Sequence, residues 1–429
     1  MEDFFDVKTV DEARKILLTS LFDAAGLSRP APRREEVDLL SALGRVLAED
    51  VVSPEDVPPY PRSTVDGYAV RAADTFGATE ALPGLLTLLE DIPMGSLPSS
   101  ALSPGQCSRI PTGGVLPPGA DSCVMVEHTE MLDERTVLVR RPVATGENVV
   151  QRGEDMGAGE IVLRAGRILT PFDLGALAAL GLPKVPVVLR PVVAVISSGD
   201  EIVPPGAAPL PGQVRDINSY SLGASLSALG AKPVLFGIAR DTYDSLREMV
   251  ETALGTADAV VLSGGSSVGA RDLAVAVLND LGPPGVLVHG VAVKPGKPVV
   301  LAICRGKPVF GLPGHPVSAL VALDLFVRYT LNAMVGSIAS HPDTLPRLAS
   351  AQEAFVTARL ARNLSSSPGR EDHVRVRLTE KDGVLHAEPI LGKSAILSTM
   401  VGSDGEVVIP LESEGLVAGS TVRVRLPRF

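Results

Sequence analysis

In VVAVISSGDE, residues 192–201, an uninterrupted apolar run ends in serine, glycine and two acidic residues. AVVLSGGSSVG, residues 259–269, likewise begins with an apolar run and continues into serines and glycines. Apolar runs without polar alternation are typical of strands buried on both faces of a parallel sheet. The sequence around them predicts amphipathic helices at 219–229 and 243–254. Strands that alternate with helices predict a doubly wound α/β domain, which we place at residues 186–338.

The remaining elements of this domain follow from the same patterns. Further strands are predicted at 234–238, 286–293, 299–303 and 308–312, with a last helix from Pro316. Because these strands alternate with helices, we expect a parallel sheet that is covered by helices on both sides.

The sequence on the N-terminal side has a different texture. Thr9 and Glu12 form a capping-box pattern that predicts a helix over residues 9–20. A second helix is predicted over residues 38–48, and short β-like runs separated by Pro/Gly turns predict a small β-rich domain from about 50 to 146.

The sequence beyond that β-rich region returns to mixed character. A helix is predicted at 172–180 with Gly181 as its stop. Residues 336–346 contain two prolines and few apolar residues, so they predict a linker. Alternating strands across 350–429 predict a small β domain or barrel.

The composition excludes several classes of protein. The 429 residues carry a formal net charge of −11, whereas binding to nucleic acid requires a basic surface. Three cysteines without CxxC spacing predict free thiols in a reducing compartment. The acidic start of the chain differs from an export signal, and no apolar run reaches the roughly 18 residues of a membrane span. We therefore expect a cytoplasmic protein with neither a nucleic-acid nor a membrane partner.

Three polar clusters stand at the carboxyl ends of predicted strands: Ser197–Glu201, Arg240-Asp241 and Ser263–Gly269. In doubly wound folds these ends share one edge of the sheet, where ligands bind. Glycines let backbone amides approach a phosphate, and acidic groups beside a phosphate suggest a magnesium ion. Each cluster taken singly is also explained as a turn or a helix cap.

Two rigid turns later in the domain suit a small oxyanion. Lys294–Pro298 (KPGKP) is a proline-stiffened loop that carries two ammonium groups. Gly311–Ser318 (GLPGHPVS) leads from a strand into a helix. An exposed basic turn and a helix cap explain the same residues without a ligand. Far upstream, Asp66 and Thr112 precede glycines and fit ordinary turns equally well.

Taken in order, these motifs resemble the signatures of the molybdopterin molybdenumtransferase family. The resemblance spans nearly the whole chain, and its specificity comes from the ordered set rather than from any single motif. The matching segments are Pro59–Ala69, Ile110–Gly114, Pro117–Glu127, Gly146–Gly159, Ser197–Glu201, Gly212–Asn218, Ser263–Asp272, Lys294–Pro298, Gly311–Ala319, Gly369-Arg370 and Gly392–Met400.

The resemblance implies an enzyme that transfers molybdate to adenylylated molybdopterin and releases AMP, with Mg²⁺ as cofactor and molybdate as a substrate. It also implies a homodimer, and it points to the molybdopterin adenylyltransferase as a protein partner. Four regions are implied: an elongated dimerisation domain (1–55 and 147–185), an inserted β-rich domain (56–146), the α/β molybdopterin-binding domain (186–338) and a C-terminal β-barrel-like domain (345–429).

The expected site residues come from the matching motifs. The resemblance implies catalytic roles for Asp66, Asp272 and Lys297, and it implies that Glu201, Asp241 and Asp272 bind the metal. Substrate binding is expected of Thr112, Ser198, Ser263, Gly264, Gly265, Lys294, Pro298, Ser318, Arg370 and Ser394. Within this set the lysines, Ser318, Arg370 and Ser394 are assigned to molybdate, and the Ser263–Gly265 amides to the pyrophosphate.

The chain departs from the family pattern at two positions. Ala270, followed by Arg271, stands where the family commonly has an acidic residue, so that only Asp272 keeps an acid there. His315 replaces the asparagine of the family's PGNPVS turn. The first departure bears on how magnesium is held and the second on the oxyanion site.

Three alternatives stay open at this point. A molybdopterin adenylyltransferase shares the α/β domain alone, and the flanking domains argue against it. A non-catalytic scaffold can have the same fold, although the retained lysines and acids favour chemistry. A tungstate-inserting paralogue would use the same residues.

Overall fold

A computed structural model describes residues 7–24, 33–264, 268–336 and 354–426. The predicted site residue Gly265 lies outside these ranges, as does nearly all of the predicted linker. The chain divides into two compact units, each described here by itself. Unit 1 comprises residues 1–35, 44–48 and 186–429, and unit 2 comprises residues 36–43 and 49–185.

The helices within the described residues are α1 (Val10–Ala24), α2 (Pro171–Ala179), α3 (Asn218–Ala228), α4 (Tyr243–Thr256), α5 (Val268–Asp280), α6 (Pro316–Ala322), α7 (Arg328–Met334) and α8 (Ser398–Val401). A π-helical segment, Leu323–Val327, joins α6 to α7, and short 3₁₀ turns lie at Leu39–Ala42, Ala72–Thr75 and Val126–His128.

The strands of unit 2 and of its boundaries are β1 (Arg34–Asp38), β2 (Val51–Val52), β3 (Arg62–Ser63), β4 (Gly67–Val70), β5 (Gly84–Asp91), β6 (Gln106–Ile110), β7 (Ser122–Met125), β8 (Thr129–Met131), β9 (Thr136–Val139), β10 (Val149–Val150), β11 (Ile161–Leu163) and β12 (Lys184–Val188). Those of unit 1 are β13 (Val192–Ser198), β14 (Ile202–Val203), β15 (Val214–Arg215), β16 (Lys232–Ala239), β17 (Ala259–Gly264), β18 (Pro284–His289), β19 (Val293–Lys294), β20 (Val300–Cys304), β21 (Lys307–Leu312), β22 (Phe355–Leu360), β23 (Leu364–Ser365), β24 (Glu371–Lys381), β25 (Val384–Pro389), β26 (Gly405–Ile409), β27 (Gly415–Leu416) and β28 (Thr421–Arg425).

The centre of unit 1 is the predicted α/β domain, built on a six-stranded sheet of order β16-β13-β17-β21-β20-β18. Strands β16, β13, β17 and β21 are parallel, as predicted. The prediction of a parallel sheet is wrong for β20, which runs antiparallel to both β21 and β18. The reason is the two-residue turn between β20 and β21, where Arg305 and Gly306 have φ of 53° and 74°. Two successive positive φ angles are typical of a hairpin turn.

Helices cover both faces of this sheet, as the apolar strands predict. On β13, Val193 and Val195 belong to one buried cluster, which also contains residues of α1, α3, α6 and α7. Ala194 and Ile196 face the opposite way, into a second cluster with residues of α4 and α5. The doubly wound fold class is therefore confirmed.

Helix α1 belongs to the α/β core of unit 1. Its predicted capping box is present, because Thr9 N donates to Glu12 Oε2 (2.8 Å) and Glu12 N donates to Thr9 Oγ1 (3.3 Å). Ala13 and Leu17 are buried in the same cluster as the sheet residues. The assignment of residues 1–55 to a dimerisation domain stays a prediction, and α1 contributes its apolar face to unit 1.

The second N-terminal helix, predicted over residues 38–48, is wrong. Only Leu39–Ala42 forms a 3₁₀ turn, and Gly44 then adopts a φ of 71°, which is incompatible with a right-handed helix. The following residues are extended instead, and Val46 O accepts a hydrogen bond from Val188 N at 2.8 Å.

The helix from Pro316 continues through its π-helical segment to Met334. At 19 residues it is long and apolar enough to cross a membrane, yet 78% of its most apolar window is buried inside the protein. Its residues contribute to the α/β core, which accounts for its apolar character.

The C-terminal part of unit 1 is a closed β-barrel. Strands pair in the ring β24-β25-β22-β28-β26, and β26 returns to pair with β24. Strand β19 of the α/β domain adds in parallel to β24, with Val293 opposite Glu371 and Lys294 opposite Asp372. The predicted barrel is thus confirmed, and β19 joins it to the KPGKP loop.

Unit 2 contains the predicted β-rich region, with a six-stranded sheet of order β7-β4-β6-β5-β9-β8. Tyr68, Val124 and Val139 lie in its buried cluster. The predicted helix at 172–180 is α2, and Gly181 follows it with a φ of 71°.

A pair of substitutions in α1 tests whether this helix stabilises unit 1. Leu17→Ala should lower the free energy of unfolding by about 2–5 kcal/mol, because Leu17 is 1% exposed and truncation leaves a cavity. Lys15→Ala, on the exposed face of the same helix, should change it by less than about 0.5 kcal/mol. The measurement is the denaturant midpoint of each variant. Equal midpoints would mean that α1 is not part of the core.

Candidate functional site

The three predicted polar clusters meet at one edge of the sheet. Ser198, at the end of β13, lies opposite Ala239 of β16 and Gly264 of β17 in the strand register. Gly264 packs so tightly that a Cβ there would lie 2.2 Å from Ser198 O. Glycine is therefore required where the strand ends meet. We call this the carboxyl edge.

A buried hydrogen-bond network supports the carboxyl edge. Asn218 Nδ2 donates to Ser263 Oγ at 2.7 Å and to Gly314 O at 2.8 Å. Asn218 Oδ1 is buried and has no partner among the described residues. Ser197 Oγ contacts Asp216 Oδ1 at 2.9 Å. Asn218 thus ties the end of β17 to the GLPGHPVS turn.

Acidic side chains gather beside the carboxyl edge. Burial, together with the negative charges of Glu201 and Asp200, raises the pKa of Asp241 above its usual value. Asp241 N also donates to Asp200 Oδ1 at 3.3 Å. Asp272 is exposed on α5 and is not among the charges that act on Asp241.

The side chains of this group are of the type that binds magnesium, but their arrangement is not that of a metal site. Mutual repulsion among Asp241, Glu201 and Asp200 would be relieved by a divalent cation, and carboxylate oxygens are the ligands that Mg²⁺ prefers. Within the described ranges, no three His, Cys, Asp or Glu side chains are already arranged as metal ligands. The roles of Glu201, Asp241 and Asp272 as ligands stay a prediction.

The residues predicted to bind the oxyanion line one cavity between the α/β domain and the barrel. Its volume is about 680 Å³, in the range of small-molecule sites. We call it the cationic cleft, and its lining includes Lys294, Lys297, Pro298, Ser318, Arg370 and Ser394. Residues predicted from separate motifs are therefore brought together.

One buried carboxylate holds two of the cations of the cleft. Asp372, whose side chain is 4% exposed, accepts from Arg370 Nε at 2.9 Å and from Lys294 Nζ at 3.4 Å. Lys294 comes from the α/β domain and Arg370 from the approach to the barrel. Across the cleft, His315 Nδ1 lies 2.9 Å from Ser394 Oγ, and Val317 N donates to Ser394 O at 3.2 Å.

A second buried group lies behind Asp372 on the same strand. His373 Nε2 contacts Glu371 Oε1 at 2.7 Å, and His373 Nδ1 contacts Glu406 Oε1 at 2.9 Å. Burial alone would lower the pKa of His373, but the two carboxylates outweigh it and raise the pKa to about 9. Burial would raise the pKa of Glu406, but His373 and Arg425 lower it to about 2. His373 is therefore held as a cation.

Asp66 and Thr112 are brought together within unit 2. Thr112 donates to Asp66 Oδ1 from its backbone N (2.7 Å) and from its hydroxyl (3.1 Å). These two hydrogen bonds lower the pKa of the exposed Asp66 carboxyl. The contact organises a surface turn, and both hydrogen bonds from Thr112 go to the same oxygen of Asp66.

Comparison with known proteins is consistent across the whole chain. Three family descriptions match in succession: the MoeA N-terminal region (domain I and II) at residues 8–181, the probable molybdopterin binding domain at 194–333 and the MoeA C-terminal region (domain IV) at 357–426. Molybdopterin molybdenumtransferase 2 of Mycobacterium tuberculosis is 35% identical, over 90% of this chain and 94% of its own length. The chain belongs to the molybdopterin molybdenumtransferase family.

Further relatives agree with this membership. Molybdopterin molybdenumtransferase of a Nostoc species is 35% identical, over 91% of this chain and 88% of its own. The crystal structure of the molybdopterin biosynthesis MoeA protein from Pyrococcus horikoshii OT3 covers 98% of this chain and 100% of its own, with a TM-score of 0.78 and 33% identity. As a member of the family, the chain is an enzyme of molybdenum cofactor biosynthesis. Matches on both sides of the α/β domain exclude the adenylyltransferase alternative, which has that domain alone.

Several site residues of this family member escaped the sequence prediction. Asn218 and Asp216 lie in a matching motif, but their buried hydrogen bonds depend on the packing of α3 against the sheet. Asp372 and His373 lie in β24, and the predicted alternation of this region does not show that these two charged residues are buried. The available signal was the run of charged residues from Arg370 to Arg377, which is unusual for a strand.

A pH titration tests the buried cation at His373. The pKa of His373 is about 6.5 in the unfolded chain and about 9 in the folded protein. The protonated side chain therefore stabilises the folded state fully below pH 6.5, and this stabilisation is lost as the pH rises through about 9. Wild-type unfolding free energy should therefore fall by roughly 2–3 kcal/mol at most between pH 6.5 and 9.5. His373→Asn should remove this pH dependence, whereas His386→Asn, in β25, should keep it. A wild-type stability that is flat over this range would show that His373 is neutral.

Proposed function

We propose that the protein transfers molybdate to adenylylated molybdopterin, giving molybdenum cofactor and AMP in a reaction that requires Mg²⁺. The observation that carries this proposal is the convergence of Lys294, Lys297 and Arg370 on one cleft that adjoins the carboxyl edge through Asn218. A site for a small dianion thus lies beside a site suited to a phosphate.

The cationic cleft supplies what a molybdate dianion needs. The Asp372 carboxylate fixes Arg370 and Lys294 before any ligand arrives, so little side-chain freedom is lost on binding. Arg370 offers a planar fork of donors, which matches two oxygens of an oxyanion. Gly296, with a φ of 119°, lets the loop turn close to Ser318 and presents Lys297.

The carboxyl edge supplies what a pyrophosphate needs. Negative charge is favoured by the backbone amides at the ends of β13 and β17. The start of α5, which follows β17, favours it as well. Asp241 and Glu201 would hold Mg²⁺, with Asp272 as a further ligand implied by the family motif. When bound, Mg²⁺ neutralises the phosphate charge that develops as AMP leaves. Asn218 Oδ1, buried and unpartnered among the described residues, can accept a hydrogen bond from the substrate.

The proposal extends to assembly, for which the family resemblance is the support. We propose a homodimer and an encounter with the molybdopterin adenylyltransferase, which would hand over the adenylylated substrate. Light scattering at micromolar protein concentration should give twice the 44.6 kDa mass of one chain. A species of one chain at every concentration would contradict the dimer.

The function is tested by the release of AMP. Purified protein and adenylylated molybdopterin are incubated with Mg²⁺ and with molybdate, tungstate or no oxyanion. We expect AMP release that depends on Mg²⁺ and is faster with molybdate than with tungstate. Faster release with tungstate would favour the tungstate-inserting alternative, and no release with either would favour a non-catalytic scaffold.

Lys297→Ala separates the two halves of the site. The variant should raise the molybdate concentration for half-maximal rate by roughly ten- to a hundredfold, since one charge-assisted contact is lost. Affinity for adenylylated molybdopterin without molybdate should barely change. Lys381→Ala, a substitution of an exposed lysine in β24 outside the cleft, is the control. Lost pterin affinity with unchanged molybdate dependence would assign the loop to the nucleotide side.

Asp241→Asn tests the proposed magnesium group. Removal of one carboxylate charge should raise the Mg²⁺ concentration for half-maximal AMP release by roughly tenfold, because fewer anionic oxygens then attract the cation. Asp244→Asn, an exposed position in the first turn of α4, should leave it unchanged. If Asp241→Asn keeps the wild-type Mg²⁺ dependence, the metal is held elsewhere.

A further inference from the structure

Arg375 is a buried arginine in β24 without a hydrogen-bond partner. The residue is 8% exposed, and its Nε is fully buried and unbonded. Among the described residues, its guanidinium donates to no acceptor. Guanidinium groups carry five donors and are rarely buried unless they are paired. A fully desolvated donor with nothing to bind therefore needs an explanation.

The carboxylate opposite Arg375 in the sheet does not provide that partner. Glu406 lies opposite Arg375 in the β24–β26 register and acts on it electrostatically. Glu406 is already engaged, because it accepts from Arg425 and contacts His373 at 2.9 Å. Burial lowers the pKa of Arg375, and Glu406 offsets this only in part. Glu406 thus compensates the charge of Arg375 only in part.

Arg375 lines the cationic cleft together with Lys294 and Arg370. Arg375 also lines a neighbouring cavity of about 440 Å³, together with Asp324, Glu406 and Arg425. The backbone of Arg375 accepts a hydrogen bond from Ile390 N at 2.8 Å, and Ile390 begins the cleft-lining segment that leads to Ser394. Arg375 therefore lies between the two cavities, and one of them is the cleft lined by the predicted oxyanion residues.

We propose that Arg375 is a further anion-binding residue of the cationic cleft, whose missing partner is the bound oxyanion itself. This inference rests on the proposed function, because molybdate is the anion concerned. A buried ion pair contributes little to stability, and a buried charge without a partner opposes folding. Arg375 thus lowers the stability of the folded protein, and its charge acts on the ligand instead.

This predicts opposite effects on stability and on binding. Arg375→Met keeps the length of the side chain and removes its charge. Its melting temperature should equal or exceed that of wild type, while its Kd for molybdate rises roughly tenfold. Arg375→Lys should recover part of the affinity, because it keeps the charge. Arg377→Met is the matched control, since Arg377 is two residues along the same strand, exposed and outside the cleft lining.

The experiment is calorimetric titration of each protein with molybdate at low and at moderate salt, together with thermal unfolding. A charge that acts on the anion should also make wild-type binding more salt-dependent than that of Arg375→Met. Unchanged molybdate affinity in Arg375→Met would overturn the proposal. A lower melting temperature together with a loss of affinity that Arg375→Lys does not recover would overturn it as well, because Arg375 would then be a structural partner of Glu406.

Failure of the proposed function gives a different result. If wild-type protein does not bind molybdate at all, the function itself fails. If wild type binds and Arg375→Met binds equally well, only the assignment of Arg375 fails.

Discussion

The contact of Asp372 with Arg370 and Lys294 is the interaction on which the cationic cleft depends. The carboxylate is almost fully buried, and the two cations reach it from the two sides of the β19–β24 pairing. Burying a carboxylate is unfavourable unless charged donors satisfy it. The hydrogen bonds to Asp372 hold the Arg370 guanidinium and the Lys294 ammonium side by side. They also set the position of the barrel against the KPGKP loop. Two like charges that would otherwise repel are thus held ready for an anion.

The same unit gathers opposite charges at two separate places. Carboxylates gather beside the carboxyl edge, where burial and mutual repulsion act on Asp241. Cations gather in the cleft. Asn218 stands between these groups, because one amide bonds both Ser263 and the turn that contains His315. The proposed transfer of a metal oxyanion to a phosphate-bearing substrate needs both environments, each with its own counter-charge.

Much of this arrangement is predictable from the sequence, for identifiable reasons. Uninterrupted apolar strands and capped helices specify the α/β domain, since burial on both faces removes polar alternation. The turn at Arg305-Gly306 was missed because arginine gives no sign that it will adopt a positive φ. Residues in the rigid turns were found, because glycine and proline mark them. Asp372, His373 and Arg375 were missed, because charged residues in a strand are ordinarily exposed and only the closed barrel buries them.

The central claim is that the cationic cleft binds the oxyanion, and its most direct test is crystallographic. Crystals of the protein soaked in tungstate or molybdate give an anomalous signal that locates the metal without reference to activity. The account predicts one strong peak in the cleft, whose oxygens lie at hydrogen-bond distance, about 2.7–3.2 Å, from donors of Lys297, Arg370 and Ser394. A peak at the carboxyl edge beside Ser263, with none in the cleft at saturating oxyanion, would contradict it.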